Sequence, residues 1–343
     1  MNEQPAILII HTGGTIGMSR NPETGALEPV DFNNLTDLVP TLKLFNYQID
    51  HYKFNPLIDS ANMSPQFWKS LAGLIYSKYE AYDGFVILHG SDTMAYTSSA
   101  LSFMLQNLNK PVVLTGSQLP LGMIRTDGRE NLLTAIEIAA AYEEEMPVVP
   151  EVCVCFENRL FRGNRTHKIS ASDFDAFASP NYPELASAGV SLKFNRQYIR
   201  KPNFKKLRLK PDMEPGVMIV KLFPGLQQSF LKKLLQFEGL KGVVLESYGS
   251  GNAPTDKEFT DILRAAVERG IVVLNITQCE KGGVEMGRYA TSRQLIEAGV
   301  RNGFDMTSEA ALTKMMHLLG SGYRGEKLGE LLEKPMVGEM TIV

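Results

Sequence analysis

The chain has 343 residues, of which 44% are hydrophobic and 21% are charged, so it is long enough for about two globular domains. Its 35 basic and 38 acidic residues leave a net charge of −3 without a long block of like charge, so neither nucleic acid nor an acidic membrane is an expected partner. Three cysteines without CxxC spacing exclude a disulfide scaffold and a zinc site, and no apolar run approaches the roughly 20 residues of a membrane span.

The first residues carry no basic segment, and their apolar stretch is too short for a signal peptide. Free thiols are typical of a reducing compartment. The sequence therefore predicts a cytoplasmic protein.

In the N-terminal half, short apolar runs typical of strands alternate with segments of helical periodicity. Strands that are apolar on both faces and alternate with helices indicate a parallel sheet covered by helices. The predicted strands are AILIIH (6–11), FVILHG (85–90), PVVLTG (111–116) and EVCVCF (151–156), and the predicted helices are 94–108 and 129–144.

The stretch 191–215 is polar, basic and poor in periodicity, so we predict a linker there, and the α/β alternation resumes beyond it. We expect a larger N-terminal catalytic α/β domain at 1–190, with a mostly parallel sheet and flanking helices. A smaller C-terminal α/β domain with a parallel sheet is expected at 216–343. Its predicted strands are 216–223, 242–249 and 271–278, and its predicted helices are 229–239, 256–270 and 308–320.

Polar clusters follow several of the predicted strands. Because open parallel sheets place ligand sites at the carboxyl ends of their strands, we expect these clusters to converge on one cleft for a polar small molecule. The clusters are HTGGTIG, HGSDT, TGSQLP, ENRLFRGNRTHK and SYGSGNAP.

The first cluster, TGGTIG, fits neither GxxxxGK[ST] nor GxGxxG, so phosphate binding is disfavoured. Gly13, Gly14 and Gly17 are explained by a tight turn, since glycine permits positive φ. The two threonines of the loop are not explained in this way. A threonine hydroxyl there could be a nucleophile if a base removes its proton.

The second cluster supplies polar partners at the predicted start of a helix. Asp92 or Thr93 could simply cap that helix, whereas backbone N–H groups at its N-terminus could stabilise an oxyanion. Lys168 is a candidate base, although an exposed loop lysine is the commoner explanation. His11 and His89 precede the two loops and are expected to pack or hydrogen-bond beside the cleft.

These motifs, in this order, resemble the bacterial type I L-asparaginases from about residue 7 to about residue 320. The resemblance implies hydrolysis of L-asparagine to L-aspartate and ammonia without metal or cofactor. It rests on TGGTIG, HGSDTMAYTSSALSFML, TGSQLP, DGRENLL, NRLFRGNRTHK, FDAFASPN, ESYGSGNAP, NITQC and DMTSEAALTK.

The resemblance also implies roles for individual residues. Thr15 is the expected nucleophile, which forms a β-aspartyl ester that water hydrolyses with help from Ser91 and Lys168. Asp92 would hold the substrate α-ammonium group. The further substrate-binding residues implied are Asp59, Ser60 and Gly90, together with Asn252 and Glu285 from a neighbouring subunit, and shared residues of this kind imply a homodimer or homotetramer.

Three departures from the family pattern stand out. Ser91 replaces the usual threonine and keeps the hydroxyl. Ala26 and Leu27 lie where many members carry a loop tyrosine that faces the nucleophile. Some members have a second asparagine site, whose carboxylate-binding arginine would fall at Glu246 and whose threonine would fall at His167, although Cys279 matches. Because a glutamate repels the carboxylate that the arginine would bind, we expect that site to be absent or altered.

Other functions remain as alternatives. An asparaginase-like subunit that releases ammonia for amidating glutamyl-tRNA would carry an additional N-terminal domain, whereas about six residues precede the first predicted strand here. A non-enzymatic amino-acid sensor would be expected to lack one of the four polar groups at Thr15, Ser91, Asp92 and Lys168. A phosphate-binding protein would need the motif that this chain lacks.

Overall fold

The computed structural model of the chain describes residues 4–20, 25, 27–29, 39–287 and 290–342. The chain divides into two compact units, residues 1–209 and residues 210–343. The first unit thus includes much of the stretch 191–215. Leu192–Phe194 and Arg208–Leu209 in that stretch are short strands paired with other strands of the first unit.

The described strands of the first unit are β1 (Ala6–His11), β2 (Met18–Arg20), β3 (Leu27–Pro29), β4 (Gln48–Lys53), β5 (Gly84–Leu88), β6 (Leu105–Gln106), β7 (Val112–Thr115), β8 (Tyr142–Glu143), β9 (Met146–Pro147), β10 (Val152–Phe156), β11 (Arg159–Arg162), β12 (His167–Lys168), β13 (Phe177–Ala178), β14 (Ala186–Ala188), β15 (Leu192–Phe194) and β16 (Arg208–Leu209). Its described helices are α1 (Pro65–Lys78), α2 (Met94–Met104) and α3 (Gly128–Ala139).

The main sheet of this unit has the strand order β15-β14-β11-β10-β7-β5-β1-β4. From β4 to β10 the neighbours are parallel, and β5, β7 and β10 are buried along their whole length, as their continuous apolar sequences predict. The α/β fold is therefore confirmed.

The other edge of the sheet is antiparallel, so the sheet is mixed. A two-residue turn, in which Glu157 and Asn158 have φ of 45° and 60°, joins β10 directly to β11. Turns with two positive φ values suit tight hairpins, and this one forces the antiparallel pairing. The first part of the polar cluster ENRLFRGNRTHK, which follows EVCVCF, therefore forms strand β11.

Two predicted helices end earlier than the sequence pattern indicates. The first ends at Met104, because β6 pairs with β16. The second ends at Ala139, and β8 and β9 follow it as a hairpin whose turn residues, Glu144 and Glu145, have positive φ. In both places strand pairing overrides helical periodicity.

The second unit contains a parallel sheet in the order β17-β18-β19-β20, as predicted for its first three strands. The strands are β17 (Val217–Lys221), β18 (Gly242–Ser247), β19 (Val272–Thr277) and β20 (Arg301–Asn302), and the described helices are α4 (Gln228–Leu235), α5 (Lys257–Glu268), α6 (Ala290–Glu297), α7 (Ser308–Gly320) and α8 (Gly325–Leu332). Of the helices in the described ranges, none combines the length and apolarity needed to cross a membrane.

A buried ion pair holds the C-terminal segment against α7. Lys314 and Glu339 are both completely buried, and their Nζ and Oε1 atoms are 2.7 Å apart. The ammonium also donates to the carbonyls of Leu332 and Lys334, at 2.8 and 2.6 Å. The carboxylate accepts the backbone N–H of Val337 at 2.8 Å. These bonds compensate the loss of water that burying two charges entails.

Replacing Lys314 with methionine is expected to lower the free energy of unfolding by about 3–5 kcal/mol, because the Glu339 carboxylate is left buried without its countercharge. Denaturant unfolding of the full chain measures this. The matched control is Lys327→Met, which removes an exposed lysine 3.1 Å from Glu330 and should have a far smaller effect. Equal losses in the two variants would contradict the assignment.

Candidate active site

Two loops leave the main sheet side by side, after β1 and after β5. These strands pair in register, with His11 opposite Leu88. The Thr12 backbone N–H and Oγ1 both donate to the Leu88 carbonyl, at 3.0 and 2.9 Å. The loop that carries Thr15 and the loop that carries Ser91 therefore start from neighbouring points at the carboxyl end of the sheet, as the strand order requires.

The two loops touch through glycine backbones. Gly14 has a φ of +88°, and a Cβ there would lie 2.5 Å from the Gly90 nitrogen. Gly13 has a φ of +141°, and a Cβ there would lie 2.0 Å from the Ile58 carbonyl oxygen. No side chain fits at either position. Since Thr15 follows Gly14 and Ser91 follows Gly90, the two hydroxyl-bearing residues emerge next to each other.

A third segment closes one side of these loops. Ser60 is buried, and a Cβ on Gly90 would lie 2.5 Å from its Oγ. The Thr93 hydroxyl donates to the Ser60 carbonyl at 2.7 Å. Asp59 is exposed and accepts the backbone N–H of Ala61 at 3.0 Å. The segment DSANM thus lies against the Ser91 loop.

Lys168 joins the hydroxyl and the carboxylate of that loop. Its Nζ donates to Ser91 Oγ at 2.8 Å and to Asp92 Oδ1 at 2.7 Å. The Lys168 side chain is 16% exposed, so it is not the solvent-exposed lysine of the alternative interpretation, whereas Asp92 is 68% exposed. Asp92 Oδ2 has no bonding partner in the described part of the chain.

Gln118 belongs to the same group of side chains and was not singled out from the sequence. Ser91 Oγ lies 3.5 Å from Gln118 Oε1, and Gln118 Nε2 donates to the Asp173 carbonyl at 2.9 Å. The buried carboxylate of Asp127 accepts the Gln118 backbone N–H at 3.0 Å. The cluster TGSQLP at the end of β7 is the signal that could have identified it.

Both histidines that precede the loops are buried. Burial, with the charge of Lys53 nearby, lowers the pKa of His11 to about 4. Burial likewise lowers the pKa of His89 to about 4. Both imidazoles are therefore neutral near pH 7.

The Thr15 hydroxyl is half-buried and makes no hydrogen bond to any residue that the structure describes. Ala26, at the place of the family's loop tyrosine, lies outside the described residues, and Leu27 lies in β3. The activation of Thr15 is thus not explained by a neighbouring base within the described ranges.

Asn252 and Glu285 lie in the second unit. The Asn252 backbone N–H donates to the Tyr248 carbonyl at 2.8 Å, and its carbonyl accepts the Tyr248 N–H at 2.9 Å, which closes the turn after β18. The Glu285 backbone N–H donates to the Ser250 carbonyl at 3.0 Å. Glu285 is exposed, and Asn252 is half-buried.

Glu246 already has partners of its own. Ser308 Oγ donates to its Oε1, and Lys221 Nζ is 3.8 Å from its Oε2. Cys279, which matches the family pattern, has an exposed free thiol, and His167 lies in β12. The loss or alteration of a second asparagine site stays a prediction.

No group of three or more histidine, cysteine, aspartate or glutamate side chains in the described ranges is arranged to hold a metal ion. The groups that these loops carry are two hydroxyls, a carboxylate, an amine and backbone N–H groups. These are the components of nucleophilic acyl transfer.

Family models match nearly the whole chain. Residues 6–200 match the N-terminal domain of asparaginase, and residues 216–332 match the glutaminase/asparaginase C-terminal domain.

Individual relatives agree with these matches. L-asparaginase 1 of Escherichia coli is 43% identical, with 99% of each chain covered. The structure of L-asparaginase I from Vibrio cholerae is 38% identical with a TM-score of 0.90, and covers 99% of this chain and 100% of its own. The 60 kDa lysophospholipase of Mus musculus is 42% identical, but this chain spans 64% of its length. A glutamyl-tRNA(Gln) amidotransferase subunit of Pyrococcus abyssi is more distant, at 33% identity over 98% of this chain and 77% of its own.

Replacing Gly14 with alanine is expected to separate the Thr15 and Ser91 loops and to lower the free energy of unfolding by more than about 1 kcal/mol. The methyl group meets the Gly90 backbone, and the positive φ strains any side chain. Urea unfolding and a crystal structure of the variant measure the two effects. Gly189→Ala is the matched control, since a Cβ there meets nothing within 4 Å. A Gly14→Ala variant with an unmoved loop and full stability would refute the packing argument.

Proposed function

This chain belongs to the asparaginase family, and from that premise we infer that it is an enzyme that hydrolyses L-asparagine to L-aspartate and ammonia. The observation that carries the catalytic assignment is the juxtaposition of the Thr15 loop with Ser91, Asp92 and Lys168. This juxtaposition supports a site that combines the hydroxyls of Thr15 and Ser91 with an acid and an amine.

In the first half of the proposed reaction, Thr15 Oγ1 attacks the side-chain carbonyl carbon of asparagine. The amide nitrogen leaves as ammonia and takes up the hydroxyl proton, and a β-aspartyl ester remains on Thr15. The backbone N–H groups of Thr15 and Ser91 find no acceptor in the described part of the chain. They are therefore available to stabilise the oxyanion of the tetrahedral intermediate.

In the second half, water attacks the ester and restores the Thr15 hydroxyl. Ser91 and Lys168 are the proposed proton-transfer pair for this water, because their side chains are within hydrogen-bonding distance of each other. The first attack is assigned to Thr15 rather than Ser91 because Ser91 Oγ is already held by Lys168, whereas Thr15 Oγ1 has no described partner.

Substrate binding is assigned to the groups around this pair. Asp92 Oδ2 is available for the α-ammonium group while Oδ1 holds Lys168. Ser60 and Gly90 are the proposed wall of the pocket, and the exposed Asp59, which precedes Ser60, is a further proposed binding residue. One methylene separates asparagine from glutamine, and such a difference is worth only about 1–3 kcal/mol in a pocket.

The alternative is an ammonia-releasing subunit that works as a glutaminase or within an amidotransferase. Its hydrolytic chemistry would be the same, and its relative named above is more distant than the asparaginases. Release of ammonia from asparagine in the absence of any tRNA acceptor distinguishes the two functions.

We propose further that the enzyme is a homodimer or homotetramer in which Asn252 and Glu285 of one protomer complete the site of its neighbour. The turn held by Tyr248 and Asn252 presents polar groups at the carboxyl end of β18, where such a contribution could be made. We also propose a cytoplasmic location, because the cysteines at 153, 155 and 279 are free thiols.

Thr15→Ala is expected to reduce ammonia release from L-asparagine by several orders of magnitude, because it removes the route through the ester. Rates with L-asparagine and L-glutamine, compared with wild type, measure this. Thr15→Ser is the matched control and should retain part of the activity, since it keeps the hydroxyl.

Acid quenching of Lys168→Met during turnover should trap the ester, and peptide mapping should locate it on Thr15. An ester on Ser91 would overturn the order of attack. A fully active Thr15→Ala would overturn the role of Thr15.

Mixing two inactive variants, Thr15→Ala and Glu285→Ala, is expected to restore part of the activity if sites are shared between protomers. One site of the mixed oligomer then combines an intact Thr15 with an intact Glu285 from its neighbour. Ammonia release after refolding the variants together, compared with each alone, is the measurement. No recovery, in mixed oligomers verified by mass, would contradict the shared site.

A further inference from the structure

A chain of buried hydrogen bonds runs beneath the Ser91 loop. Trp68 Nε1 donates to Thr97 Oγ1 at 2.9 Å. Thr97 Oγ1 lies 2.9 Å from His89 Nε2, and His89 Nδ1 lies 2.7 Å from the Gly90 carbonyl oxygen. The side chains are nearly or fully buried, and they come from α1, α2 and the segment after β5.

The chemistry of these groups allows only one direction of donation. The Gly90 carbonyl can only accept, so His89 Nδ1 carries the proton. Because burial keeps the imidazole neutral, its Nε2 accepts from the Thr97 hydroxyl. The indole of Trp68 can only donate, and it occupies an acceptor position of the same hydroxyl. The tautomer of His89 with its proton at Nδ1 is therefore compatible with all three hydrogen bonds.

This series of hydrogen bonds fixes the orientation of the peptide group that joins Gly90 to Ser91. A trans peptide is planar, so its C=O and N–H groups point in opposite directions. Since the Gly90 oxygen is bound to a buried imidazole, the Ser91 N–H is directed away from that core. That N–H meets no acceptor among the described residues, so it is free for a ligand.

We propose that His89, Thr97 and Trp68 are positioning residues that orient the Gly90–Ser91 peptide so that the Ser91 N–H faces the reacting carbonyl of the substrate. The proposal rests on the proposed hydrolysis of asparagine. None of the three residues touches the substrate, and each acts through its neighbour. Two helices of the first unit thereby set the direction of one backbone donor.

The test compares two substitutions of Thr97. Thr97→Val keeps the shape of the side chain but removes the hydroxyl, and Thr97→Ser keeps the hydroxyl. We expect Thr97→Val to lower kcat about tenfold with little change in KM, because an oxyanion donor acts mainly on the transition state. Thr97→Ser should stay close to wild type.

A second readout is ¹⁵N NMR of the His89 imidazole and of the Ser91 amide in the full-length protein. All three proteins should keep the imidazole proton at Nδ1, because the Gly90 carbonyl accepts it. In Thr97→Val the Nε2 resonance should shift to that of a nitrogen that has lost its hydrogen-bond donor, and the Ser91 amide resonance should shift as well, whereas Thr97→Ser should match wild type. This measurement needs no asparagine. An unshifted Ser91 amide in Thr97→Val would overturn the proposal, whereas a wild type that is inactive on asparagine would overturn the proposed function instead.

Thr313→Val in the second unit is the control for lost packing and a lost buried hydroxyl. Thr313 is fully buried in α7 and donates to the Glu309 carbonyl at 2.7 Å. Its substitution should lower stability without changing kcat. If Thr97→Val behaves in the same way, or if Thr97→Ser loses as much kcat as Thr97→Val, the three residues are ordinary core residues and the proposal is wrong.

Discussion

The candidate active site depends on the contact between the backbones of Gly14 and Gly90. Each glycine follows a strand of the parallel sheet, and the two strands are neighbours. A Cβ on Gly14 would overlap the Gly90 backbone, so the loops come together only because that side chain is missing. Thr15 and Ser91, which follow these glycines, are brought close together by this contact. The geometry of the candidate site thus begins as a steric constraint on backbone atoms.

Charge is distributed around that contact in two layers. The charged groups Asp92 and Lys168 form an ion pair in which the carboxylate remains largely open to solvent. The layer beneath is neutral and buried, and there His89 and Thr97 satisfy each other's hydrogen bonds. A neutral support suits this position, since an unpaired buried charge would cost several kcal/mol. Charged groups and neutral support are thus supplied by different residues in and around the Ser91 loop.

Much of the fold and part of the site could be predicted from the sequence. Strands buried on both faces have continuous apolar sequences, so β1, β5, β7 and β10 were predicted, and the resemblance indicated Thr15 and Lys168 as candidate site residues. The helix ends at Met104 and Ala139 were not predicted from the local pattern. After Met104 the chain pairs with the distant strand β16, whereas after Ala139 it enters the local hairpin of β8 and β9. Gln118 was not identified as a site residue from the sequence, because its contact with Ser91 joins two loops that are separated along the chain.

By itself the sequence determined the α/β class, the family and the residue types available for chemistry. These follow from periodicity and from motifs, which are local properties of the chain. Only the tertiary structure decided that the sheet is mixed, that Lys168 bridges Ser91 and Asp92, and that His89 is linked to Trp68 through Thr97. The physical reason is that these contacts join segments separated by as many as 77 residues along the chain. Their geometry is set by strand pairing and packing rather than by neighbouring sequence.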